Sequence, residues 1–276
     1  MPNDARDLLR AIERLVRAED TLSRTFEQEL SRVSRRMLVE VGALLGSDEW
    51  TDSQKIRAGQ LARLLADIRK SLAAAGYDRL AADLEPLDAL AARARRLALS
   101  RRAAALSAGA RRRIAAAKAL FELDILKQGD AAARAIWRAA ANAVIGGQPA
   151  DGLLQDLRAV LDREMRYVAT LFDTQVTVFS RQAGAISSRG TTDERFAFLG
   201  PVDGLTRRWC MDRVGRVYSR AEIDDMDNGQ LPNPWLTGGG YNCRHRWVLL
   251  SSDSPWRPLA GTANRIPEVE ADIRDL

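Results

Sequence analysis

Apolar residues recur from the start of the chain in steps of three and four or their sum: Leu8, Ile12, Leu15, Leu22, Phe26, Leu30, Val33, Met37 and Val41. That spacing lays one narrow apolar seam along a long amphipathic helix, which the pattern ends near Gly46. Thr51 with Gln54 reads as a capping box ahead of Ile56, Leu61, Leu64, Leu65, Ile68 and Leu72, and Gly76 stands where a C-terminal stop belongs. A third helix is expected after Pro86, through Leu87, Leu90, Leu97 and Leu99. A fourth runs through Ile114, Leu120, Leu123, Ile125, Ile136 and Val144 to Gly146-Gly147. All four are rich in alanine, leucine, arginine and glutamate, the strong helix formers. Residues 1–147 therefore read as a long-helix bundle or a helical arm.

Asp151 can cap a connecting helix over 148–187, with Leu153, Leu154, Leu157, Val160, Leu161, Met165, Val168, Leu171 and Phe172 as its apolar side. The texture then changes. Phe196 to Leu199 and Trp247 to Leu250 read as short strands, Gly200 to Gly204 as a turn, and Ser219 with Glu222 as a capping box for a brief helix from Ala221 to Met226. Residues 188–252 thus form a small α+β module with glycine- and proline-rich loops. The polar tail, 253–276, is expected to lie across a neighbouring surface or to be poorly ordered. The predicted fold class is mostly α, a helical N-terminal region followed by a small α+β module.

The composition is that of a protein able to bury an ordinary core, with 46% hydrophobic residues in 276 and a net charge of +5. No apolar run reaches membrane-spanning length, and the N-terminus lacks the charged and apolar regions of a secretory signal, so synthesis and residence in the cytoplasm are expected. The positive charge is concentrated. Arg93, Arg95, Arg96, Arg101, Arg102, Arg111, Arg112, Arg113 and Lys118 occur in a stretch with no acidic residue between Asp88 and Glu122. This is either a solvated helical face or a phosphate-contacting one, with Arg95, Arg96, Arg102, Arg111, Arg112 and Arg113 as the DNA-facing set. No aromatic residues interleave, so base stacking is not indicated.

Candidate chemistry centres on two cysteines and the single histidine. Cys210-x-Asp212 and Cys243-x-His245 each put two donors on one side of an extended backbone, a set compatible with zinc, although the spacing is not that of common zinc knuckles. A Cys210–Cys243 disulfide and a pair of small buried thiols are the other readings, and the third is the expectation: no metal and no cofactor. The triple glycine Gly238-Gly239-Gly240 lacks the following lysine and serine or threonine of a phosphate-binding loop. The carboxylates Glu222, Asp224, Asp225 and Asp227 fall on the brief helix and its cap, where acidic side chains favour the helix dipole.

The stretch GPVDGLTRRWCMDRVGRVYSRAEIDDMDNGQLPNPWLTGGGYNCRHRW, Gly200 to Trp247, resembles the C-terminal module of the phage Mu F-like minor head proteins, or phage head morphogenesis proteins. The matching features are Asp203, Thr206-Arg207, Cys210, Gly215 with Tyr218, the helix from Ala221, and Asn242-Cys243-Arg244-His245. The match spans about fifty residues. Many members carry a further histidine within the module and a second cysteine in the final loop, and this chain has neither. The resemblance implies a non-enzymatic head protein of a tailed phage or prophage, located in the virion at the portal vertex or head interior. Its implied partners are the portal protein, the major capsid protein or both, with contacts to packaged double-stranded DNA. Self-association through the long helices, without a membrane span, completes the expectation. Two other classes stay open: an enzyme or toxin, such as a nuclease or transferase working through Cys243, Arg244 and His245, and a free DNA-binding protein.

Overall fold

The structure is a computed structural model that describes residues 5–45, 58–98, 107–146, 150–187, 194–250, 254, 256–259 and 265–274. Six helices come first: α1 (Ala5–Leu45), α2 (Ala58–Ala74), α3 (Tyr77–Ala82), α4 (Pro86–Ala98), α5 (Ala108–Ile145) and α6 (Ala150–Ser187). A three-stranded antiparallel sheet follows, with β1 (Arg195–Leu199) central between β2 (Val217–Ser219) and β3 (Arg246–Leu249). Short helices α7 (Arg208–Met211), α8 (Arg220–Asp224) and α9 (Pro234–Thr237) fall between the strands, and α10 (Pro267–Arg274) lies beyond them. The fold is mostly α with a small C-terminal α+β module, as the apolar pattern predicts. The Thr51/Gln54 capping box, Leu99, Arg101 and Arg102 lie outside the described residues.

The seam of α1 is real: Ile12, Leu15, Phe26, Leu30, Val33, Met37 and Val41 are buried. Packing divides the chain into two compact units that cut across its linear order. One comprises residues 23–84 and 120–172, the other 1–22, 85–119 and 173–276. In the first, Phe26 and Phe172 stack with centroids 3.6 Å apart, and Phe121 lies 5.2 Å from Phe172. Gly76, at φ 101°, ends the α2 segment with a turn that L side chains avoid, and delivers the unforeseen short helix α3. Tyr77 then enters the core, its hydroxyl donating to the Ile125 carbonyl at 2.6 Å. A Cβ on Gly129 would stand 2.3 Å from the Tyr77 ring, so the missing side chain is what lets α5 come so close.

The second unit is built around β1. Phe196, Ala197, Phe198 and Leu199 are all at most 1% exposed, because the strand is covered on both faces, the usual reason for an uninterrupted apolar strand. Its register pairs Phe196 with Tyr218 on β2 and Phe198 with Trp247 on β3. Strand β2 is legible only as a turn in the sequence, since Gly215 (φ 78°) and three residues of strand leave no alternation to read. The Ser219/Glu222 capping box forms as expected, with both reciprocal bonds present, and starts α8 at Arg220.

Residues far apart in sequence complete this core. Ile12 and Val16 from α1 are buried in the same cluster as Val217, Val248, Leu250 and Val269. The described part of the tail is ordered against it: Trp256, Ile266 and Val269 are buried, and the Ile266 amide donates to the Gly215 carbonyl at 2.7 Å.

Candidate functional site

The final loop is positioned by α6. That helix is one-sided as far as Tyr167, but from Leu171 to Ile186 every residue is buried or half-buried. Enclosure buries a polar row at helical spacing, Thr174, Thr177 and Arg181. Such groups must find partners in the protein. Thr174 exchanges two hydrogen bonds with Asn242, whose left-handed backbone (φ 52°) makes the turn into the loop. Arg181 donates to three carbonyls at once: Nε to His245 at 3.0 Å, Nη1 to Leu236 at 3.0 Å and Nη2 to Cys243 at 2.6 Å. A single guanidinium thus fixes the path of residues 236–245. Burial pushes the Arg181 pKa down, while the Cys243 sulfur beside it works the other way.

Within that loop the structure gathers Cys210, Cys243 and His245. All three are buried, and their ligand atoms lie within 4.8 Å of one another. The two sulfurs are 3.7 Å apart and not joined. The thiols share their protons unequally: hydrogen bonding from Cys210, assisted by Arg181, brings Cys243 well below the ordinary thiol range, while bonding to Cys243 and burial push Cys210 up. The Gly239 amide donates to the Cys243 sulfur at 3.1 Å. His245 stacks on Phe198 with centroids 5.3 Å apart, and its Nε2 is buried with no hydrogen-bond partner.

The triple glycine belongs to this packing. A Cβ on Gly238 would lie 2.9 Å from both the Arg181 guanidinium and the Cys243 sulfur, and one on Gly239 would lie 2.3 Å from the Cys210 sulfur. Gly240, at φ 97°, approaches Gln230 in the same way. Close backbone approach, to sulfur at Gly238 and Gly239 and to the Gln230 side chain at Gly240, is what these positions serve.

Asp212 does not join the cluster. Cys210 sits on α7, a helical turn, so the residue two positions on points elsewhere and is exposed, unlike the extended arrangement that would align them. Cys243 and His245 do fall on one side, just ahead of β3.

The other motif residues are tied to one another. Asp203 accepts two bonds from the Arg244 guanidinium, at 2.8 and 2.6 Å, and further bonds from the Leu205 amide and Thr206 hydroxyl. The Arg244 bonds hold the Asp203 carboxyl down at a pKa of about 2. Arg207 reaches the Gly239 carbonyl, Gly215 accepts from the tail, and Tyr218 packs edge-on against Trp247. Three members of the acidic run are similarly occupied. Glu222 caps α8, Asp224 pairs with Arg220, and Asp227 accepts from the Gly229 amide.

No family model, curated protein or solved structure matches this chain. What the molecule offers is its own geometry, including two residues that sequence reasoning missed. Arg181 is one, and the 3-4 spacing of Thr174, Thr177 and Arg181 was its signal. Glu19 is the other: it is buried and pairs at 2.6 Å with Arg246, which shares the inward face of β3 with Val248. Glu19 fills the gap in the α1 seam between Leu15 and Leu22, a charged residue at a core position, but its partner 227 positions away carries no local signal.

The basic stretch forms a separate surface. Arg93, Arg96, Arg111, Arg112 and Arg113 are exposed, and Arg95 is half-buried. Lys118 bonds Asp88 at 2.8 Å and so ties α5 to α4. Arg102 falls outside the described residues. Among the described residues, no helix is long and apolar enough to cross a membrane.

Proposed function

We propose that this chain is a structural minor head protein of a tailed bacteriophage or prophage, acting in head morphogenesis beside the portal protein, the major capsid protein or both. The observation that carries the reading is how the Mu F-like motif residues are used. Asp203, Arg207, Cys210, Gly215, Tyr218, Asn242, Cys243, Arg244 and His245 all take part in closing the module. Cys243 and His245, the pair on which a nuclease or transferase would depend, are 5% and 2% exposed. A shared motif whose members hold a loop shut suits a docking module better than a reaction centre.

The exposed arginines of α4 and α5 would lie toward packaged double-stranded DNA, where phosphate contacts need charge and reach but no base recognition.

Co-expression with the portal and major capsid proteins of the same genome, followed by gradient sedimentation, tests the reading. Recovery of the chain with particles at a low fixed ratio to portal is the expected result. A chain that stays at the top of the gradient overturns it.

A further inference from the structure

We infer that Cys210, Cys243 and His245 form a binding site for a thiophilic divalent cation, with zinc as the best match. The inference is independent of the head-protein reading. Two sulfurs and an imidazole are a zinc ligand set. A tetrahedral ion at the usual zinc–sulfur distance holds two sulfurs about 3.8 Å apart, and Cys210 and Cys243 place theirs 3.7 Å apart. The imidazole supplies the second, separate observation. His245 is 2% exposed, its Nε2 has no hydrogen-bond partner, and its ligand atom lies within 4.8 Å of both sulfurs. A buried imidazole nitrogen left without a partner calls for one, and an ion held by Cys210, Cys243 and His245 would give the imidazole a ligand bond.

The surroundings are those of a supported metal site. The Gly239 amide donates to one ligating sulfur, and Arg181 fixes the carbonyls of both Cys243 and His245, so two of the three ligands are held in place by groups outside the cluster. Two thiolates balance the charge of the ion, so the Arg181 guanidinium faces a centre of no net charge. On binding, the remaining thiol protons leave to solvent and no electrons move. Among the described residues three ligands come from the protein. Ligands from α7 and from the loop ahead of β3 would be joined by the ion, fastening two ends of the module.

The test uses the full chain, reduced, stripped with a chelator and then titrated with Co2+. Expected are uptake of one ion per chain, a near-ultraviolet sulfur-to-cobalt charge-transfer band, the intense visible bands of tetrahedral cobalt, and bleaching of both when Zn2+ is added. Cys210→Ser and His245→Gln should weaken uptake and alter the bands, while Asp212→Ala should leave them unchanged. Because a ligand variant can lose its fold, the wild-type titration decides on its own. A reduced, folded wild-type chain that takes up no Co2+ overturns the site, as does a native mass showing Cys210 and Cys243 joined as a disulfide. Unaltered bands in a folded His245→Gln variant overturn the three-ligand assignment.

Discussion

Removing one partner of the Glu19–Arg246 pair should be among the most damaging single substitutions in the molecule. The two side chains are 4% and 5% exposed and 2.6 Å apart, and Arg246 also donates to the Ser180 hydroxyl. Arg246→Met leaves the Glu19 carboxylate buried without its direct ion-pair partner, which costs about 3–5 kcal/mol. For a chain of this size that corresponds to a fall in melting temperature of roughly 6–20 °C. Glu19→Leu strands the guanidinium and should cost a similar amount. The double variant Glu19→Leu/Arg246→Met removes both charges and fills the space with apolar atoms. Its stability should lie close to the wild type, because the desolvation of two ions disappears along with their attraction. Thermal and urea unfolding of the four proteins completes a double-mutant cycle whose coupling energy should be at least about 3 kcal/mol. Single variants that each cost under about 1 kcal/mol would mean the pair is solvated and the reasoning is wrong. A double variant as damaged as the sum of the singles would refute the coupling.

Gly239→Ala should destabilise the module by about 1–3 kcal/mol through overpacking against the Cys210 sulfur, and Cys210→Ala in the same chain should recover part of the loss in urea unfolding. The Asp203 carboxyl, held at about 2 in the folded chain against a reference of 3.8, is depressed by folding, so it stabilises above about pH 4. That contribution is lost as pH falls from about 4 to about 2. Urea midpoints measured across this window should fall less steeply in Arg244→Ala than in the wild type. Reversing Arg111, Arg112 and Arg113 to glutamate should lower the salt dependence of DNA binding by about three phosphate contacts' worth of slope, read as log affinity against log salt. An unchanged slope would remove these arginines from the DNA-facing set.

Long helices were legible because a period of 3.6 over 38 or more residues repeats its signal many times, as in α1, α5 and α6. The brief helix α8 was equally legible for a different reason, since Ser219 and Glu222 carry its start in their side chains. Helices α7, α9 and α10 and strand β2 were not. Each is only three to eight residues long, so each is set by what it packs on and not by its own pattern. At the cluster, the sequence offered Cys210, Asp212, Cys243 and His245 as equals. Selection among them needed the local backbone: helical at Cys210, which turns Asp212 outward, and a loop ahead of β3 that brings Cys243 and His245 together. Arg181 was hidden by helix-wide burial, because a charged residue on an amphipathic pattern is ordinarily assigned to solvent.

The unit that holds the cluster is assembled from both ends of the chain. Glu19 meets Arg246 across 227 positions, and Ile12 and Val16 lie in the cluster with Val248 and Val269. On a ribosome adding about 5–20 residues per second, the first of these waits roughly 10–45 s for the last. During that interval the N-terminal end of α1 presents an apolar seam and a lone carboxylate with their partners not yet made. Newly made chains are therefore open to capture by chaperones, or by another nascent copy offering the same seam, until the last strand emerges. Expression yield should depend on translation rate and temperature more than the stability of the finished protein would suggest.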